Sequence, residues 1–163
     1  MNAARLGMSA ALLVLPCMSV AAQADDPRGV VEAVYGEIAA GAPEPDARFP
    51  AMRRPENRAD HFAPALVALF DRDDRLTASR GGIGCIDFAI ELDGNDFDEA
   101  EIGRTLRVEE VSRTAATATV DARFDVFGAP NHFRWSFVAD GDRWMIADIE
   151  SVGNWRLSET PCG

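Results

Sequence analysis

The order of hydrophobic patterns along this 163-residue chain predicts an α+β domain, with N-terminal helices packed on one face of an antiparallel sheet. Three observations carry the prediction. Between Pro27 and Leu76, apolar residues recur at helical spacing in two segments. From Thr117 to Ile149 they alternate with polar ones, which places successive side chains on opposite faces and marks strands with one buried face. Glycine-containing turns divide that stretch: Gly128-Ala129-Pro130-Asn131, and then Asp140-Gly141-Asp142, the Asp-Gly pair being a strong hairpin signal.

Taken in order, the chain opens with an export signal. Arg5 is the only charge ahead of an apolar run from Met8 to Ala22, and Ala22-Gln23-Ala24 is a small-x-small cleavage site before Asp25-Asp26. The run is short for a membrane span and is followed by acids. Residues 1–24 are therefore expected to be a cleaved signal peptide, and 25–163 a single domain in the periplasm or secreted. Cys17 follows the bulky Pro16 where lipidation would need a small residue, so no lipid anchor is expected.

Asp25 or Asp26 can cap a first helix with Pro27 at its first position. Val30, Val31, Val34, Tyr35 and Ile38 form its apolar face, and Gly41 ends it. Residues 42–57 hold Pro43, Pro45, Pro50 and Pro55 and read as an irregular connection. A second helix is expected over 64–76, with Leu66, Leu69, Phe70 and Leu76 buried, Phe62 as its entry anchor and Asp71–Arg75 as its solvated end. Thr77 to Gly84 reads as a glycine-rich loop; it lacks the Gly-Lys-Ser/Thr of a phosphate loop. After an acidic segment, Thr105–Val111 reads as the first strand of the sheet. Next come the runs Thr117–Val126, Phe133–Phe137 and Arg143–Ile149, and a tail at Asn154–Leu157 that reads as a short helix or a packed extension. In-phase apolar neighbours predict that Trp135 and Trp144 are both buried.

The net charge is −11, and all sixteen basic residues are arginine. Such a surface repels nucleic acid and anionic lipid, so neither nucleic acid nor, after signal cleavage, a membrane is expected as a partner. Acidity of this kind keeps an exported protein soluble; the sharper reading is a basic partner. Cleavage leaves Cys85 and Cys162, an even pair in an oxidising compartment, expected to form one disulfide. No Cys-x-x-Cys exists, and His61 and His132 are isolated, whereas zinc needs about four close ligands, so no metal or cofactor is expected.

The closing Asp142-Arg143-Trp144-Met145-Ile146-Ala147-Asp148-Ile149, after helices and strands in this order, resembles the cone-shaped domains of the nuclear-transport-factor-2-like superfamily. Pro64-Ala65-Leu66, Asp87-Phe88 and Asp93-Gly94-Asn95-Asp96-Phe97-Asp98 are similar to the exported bacterial proteins of domain of unknown function 3828. The resemblance spans about Val30 to Leu157. It implies a helix set into a strongly curved sheet, and it makes immunity proteins that neutralise exported toxins one candidate role. Asn95 stands where such proteins often carry Gln.

The acidic segment is the first candidate site, with Asp93, Asn95, Asp96 and Asp98 as binding residues. It fails the EF-hand pattern, since Asp98 replaces the required Gly and Arg104 falls at position twelve, so a solvated acidic turn is the default. Enzymes of the superfamily place acid–base groups inside the cone. Here Asp148, His132 and Tyr35 are the alternative catalytic set. Asp121, Asp125 and His132 alternate opposite the aromatic stripe and are expected to face solvent. Asp148 is in phase with Trp144 and Ile146 and is expected to be drawn toward the core, bonding a backbone amide or Arg156. No Gly-x-Ser-x-Gly elbow supports serine catalysis. The resulting expectation is an exported, non-catalytic domain that binds a protein or small ligand, with a homodimer left open. The alternative is a small isomerase or dehydratase with a pocket in the cone.

Overall fold

The computed structural model describes residues 26–42 and 47–162. The expected signal peptide, its cleavage site and Cys17 lie outside the described residues, as do Pro43 and Pro45. Among the described residues, five helices precede a five-stranded antiparallel meander: α1 (Pro27–Ala39), α2 (Arg48–Arg53), α3 (Arg58–His61), α4 (Pro64–Arg80), α5 (Glu99–Thr105), β1 (Arg107–Arg113), β2 (Thr117–Val126), β3 (Ala129–Asp140), β4 (Arg143–Ser151) and β5 (Trp155–Arg156). A 3₁₀ turn over Leu157–Glu159 follows. The chain is α+β, as its pattern order predicts.

Helix α1 starts at Pro27 and buries Val30, Val31, Val34 and Tyr35, the face expected from spacing. Its Asp26 makes no side-chain cap; the carboxylate pairs instead with Arg113 at the end of β1 and ties the helix start to the sheet. The connection expected to be irregular contains α2. Pro50 sits at its third position, where the missing N–H has no intrahelical partner to lose. Phe49 and Met52 are buried there, so tertiary burial makes a helix that propensity alone would not.

Helix α4 buries Leu66, Leu69 and Phe70 as expected but runs to Arg80, so Thr77–Arg80 is helical and not part of the glycine-rich loop. Gly81, at φ +79°, ends it in the left-handed conformation that a side chain would resist. Its polar stretch is solvated at Arg72, Asp74 and Arg75, as expected, but not throughout. Asp73 is buried, and its Oδ1 accepts the N–H groups of Cys85 (2.7 Å) and Ile86 (2.9 Å). Gly84 is needed for that approach: a Cβ there would lie 2.0 Å from the same oxygen. Asp71 and Asp74 pair with Arg58, whose buried guanidinium also donates to the Arg53 carbonyl.

The sheet differs from expectation in several places, among them the tail, where Trp155–Arg156 pairs with β4 as a fifth strand. Helix α5 was not foreseen, and β1 begins at Arg107 behind it. The β2–β3 turn is the pair Phe127-Gly128, so Ala129, Pro130 and Asn131 belong to β3. Val111 is a bulge in β1. Ala147 is a bulge in β4: Ser136 pairs with Asp148 but the next residue, Phe137, pairs with Ile146. One extra residue shifts the phase of every later side chain. Ile149 is therefore buried, and Asp148 is carried to the polar face beside Glu150. Trp135 is fully buried, but Trp144 is only partly so and carries the Arg113 guanidinium over its ring, 5.4 Å from the centroid.

Between helices and sheet lies a continuous aromatic core. Ring contacts of 5.0–6.1 Å run from Phe133 through Phe124, Tyr35, Trp135, Phe49 and Phe62 to Phe70. Cys85 and Cys162 form the expected disulfide and tie the tail to the loop after α4.

Candidate functional site

The three groups of the alternative catalytic set lie apart, each in its own internal network. Tyr35 is fully buried; its hydroxyl donates to the Glu91 carbonyl at 2.9 Å and accepts from Trp135 Nε1 at 3.4 Å. Burial pushes its phenol well above the usual range and keeps it neutral. Asp148 accepts from its neighbour Ile149 N (3.0 Å), from Ser158 N (3.0 Å) and from Ser158 Oγ (2.7 Å), and lies 3.7 Å from Arg156. It caps the tail turn with the amide and arginine partners its sequence position suggested, on the other face of the sheet from that expected.

His132 belongs to an ionic cluster on the polar face. There Asp121 has a side chain only 1 % exposed, contrary to the expectation that it faces solvent. Neighbouring side chains on β2 and β3 roof it over. Arg134 donates through Nε (2.9 Å) and Nη2 (3.2 Å), Arg123 through Nη2 (2.7 Å), and His132 through Nε2 (2.8 Å). Burial alone would raise the Asp121 pKa, but the hydrogen bonds from Arg134 and His132 outweigh it and hold the carboxyl below its usual range. The Asp121–Arg134 and Arg123–His132 pairings come from the β2–β3 register, which the alternation alone does not set. This cluster is an ionic brace with two half-exposed arginines on its surface.

The acidic segment is likewise mostly committed. Asp93, at φ +57°, accepts from Ser151 Oγ (3.0 Å), Asn154 Nδ2 (3.1 Å) and the Trp155 indole, clasping the β4–β5 hairpin. Asn95 Oδ1 accepts from Ala89 N at 3.2 Å. Asp98 caps α5 by accepting from Glu101 N at 2.9 Å. Asp96 and Glu99 stay exposed. Asp98-Glu99-Ala100-Glu101 has the spacing of a capping box, the sequence signal that would have revealed α5. Glu101 does not close the box; its carboxylate accepts from Gly128 N, at the β2–β3 turn, at 3.0 Å.

Among the described residues no group of three or more His, Cys, Asp or Glu side chains is placed to hold a metal ion. None of their helices is long and apolar enough to cross a membrane. A groove of about 520 Å³ opens between α4 and the β3–β4 hairpin, lined mainly by apolar groups such as Phe62, Val67, Val138 and Met145. A smaller cleft of about 230 Å³ brings His61 and Asp60 beside Arg143 and Trp144. Neither holds Asp148, His132 or Tyr35.

No family model matches the sequence, and no curated protein does. Among solved structures, a chain of the crystal structure of the type VI native effector–immunity complex Tae3–Tai3 from Ralstonia pickettii is similar in fold. The TM-score is 0.52 at 14 % identity, over 81 % of this chain and 99 % of that one.

Proposed function

We propose that this protein is an exported binding domain of the immunity or inhibitor kind, which captures a protein partner on a rigid surface. The observation that carries the reading is the commitment of the groups from which catalysis could be built. Tyr35 and Asp148 hold core and tail together, His132 and Asp121 brace the sheet, and the core between α1, α2 and the sheet is packed with rings. Such an interior favours surface recognition, where pre-organisation lowers the entropic cost of binding. Support also comes from the structural neighbour, which was crystallised as part of an effector–immunity complex. Membership of the nuclear-transport-factor-2-like superfamily, export to the periplasm or beyond, and signal cleavage after Ala24 are parts of the same proposal. The disulfide agrees with an oxidising compartment.

The test is affinity purification of the tagged, exported protein from its own periplasm at low salt, with identification of bound species. A stoichiometric protein partner is expected, retained by the His132→Gln and Asp148→Asn variants and weakened as salt rises, because exposed charges are screened within about 8 Å at physiological ionic strength. Absence of any partner, together with a small-molecule turnover abolished by His132→Gln in a folded protein, would replace this reading with the enzymatic one.

A further inference from the structure

The tip of the β2–β3 hairpin carries a residue that neither folding nor turn chemistry asks for. Two-residue hairpin turns with positive φ at both positions favour Asn, Asp or Gly. Here the first position is Phe127, at φ +51°, followed by Gly128 at φ +76°. A bulky side chain in that region is strained, and strain of this kind gathers at binding and catalytic sites. The ring gains little from burial in return, since Phe127 is 69 % exposed, the highest value among the large hydrophobics of the described residues. Its mount is nonetheless rigid. Glu101 accepts the Gly128 N–H at 3.0 Å, and Thr105 Oγ1 accepts the Asp125 N–H at 2.9 Å, so α5 holds both sides of the tip. Glu101 and Asp125 also place two carboxylates at its base.

We propose that Phe127 is the anchor by which this domain engages its partner, entering an apolar slot rimmed by basic side chains. This rests on the binding-domain reading and deepens it. An exposed aromatic on a pre-ordered mount binds with little loss of side-chain freedom, the property that makes such residues binding hot spots. The carboxylates below it, on a chain of net charge −11, select a basic rim. The acidic segment thus contributes through α5, which it caps and which positions the tip.

Two measurements test this on the full exported protein. The first compares the thermal midpoint and partner capture of Phe127→Gly with those of the unaltered chain. Glycine relieves the strain, so the midpoint should stay level or rise, while partner affinity falls at least tenfold. The second places p-benzoylphenylalanine at position 127 and, as controls, at the exposed positions 83 and 111. Photo-cross-links should form at 127 in large excess, and mass spectrometry should map them to an apolar site flanked by Lys or Arg on one identified protein. Unchanged affinity in Phe127→Gly, cross-links no denser at 127 than at the controls, or cross-linking to a second copy of this chain would overturn the assignment of Phe127 while leaving the binding-domain reading standing. Failure of the unaltered protein to capture any partner would overturn both.

Discussion

Asp121 shows how a single charged side chain becomes structural. Its carboxylate is sealed from water on the polar face of the sheet, where two arginines and a histidine meet its ionised form. Its folded pKa is lowered, so its stabilising contribution is fully present above the unfolded aspartate value of about 4 and fades as pH falls through it toward the folded value. Asp121→Asn should therefore destabilise at pH 7 and flatten the acid limb of the stability curve, as read by urea midpoints between pH 7 and pH 2.5. The two tryptophans of the third and fourth strands should diverge in the same kind of assay. Trp135→Ala empties the centre of the aromatic core and should cost about 3–5 kcal/mol. Trp144 is only partly buried, so Trp144→Ala should cost less than about half of that.

At the scale of elements, α5 is a short helix that owes its existence to its ends. Seven residues nucleate poorly by themselves. Asp98 satisfies an orphan N–H at the start, Ile102 is buried in the middle, and Glu101 and Thr105 bond to the β2–β3 hairpin. Asp98→Ala should cost about 1 kcal/mol of stability, the usual worth of a cap, and should raise amide exchange in α5 and at Gly128 above that elsewhere. The edge strand β1 is blunted by its bulge at the exposed Val111 and by the Arg113 ion pairs, devices that discourage pairing with a further strand. On the opposite side of the sheet, β4 is covered by the two-residue edge strand β5 along its end and by a bridge from Phe62 to Ile146.

For the molecule as a whole, the disulfide closes the largest loop. Cys85 is held by the Asp73 carboxylate and Cys162 by a tail whose Leu157 is buried, so the bond joins two segments already placed. A separation of 77 residues corresponds to about 4 kcal/mol in the chain-entropy model. Denatured, non-reduced protein should show no free thiol among Cys85 and Cys162. Cys85→Ala/Cys162→Ala should lower the urea midpoint by a large part of the total stability, which is only about 5–15 kcal/mol for a domain. A double variant with an unchanged midpoint would show that the tail contributes nothing to the fold.

Periodicity determined the class of the fold, the faces of α1 and α4 and the three long strands, and the cysteine count after the expected cleavage pointed to the pairing of Cys85 with Cys162. Each of these depends on local spacing or on a count, which the chain states directly. What escaped it depended on long-range partners. Helix α2 forms because Phe49 and Met52 find the core, and Asp73 is buried because Gly84 lets a distant backbone come within reach. The candidate site shows the same division. Asp98 and Glu101 were legible as a capping box, but the destination of the Glu101 carboxylate at Gly128 was not. The placement of Asp148 turned on Ala147, an inserted residue with no signature of its own that reverses the phase of β4. Alternation says which residues share a face only while the ladder stays in register, and it never says which face the helices will cover; tertiary packing decided both.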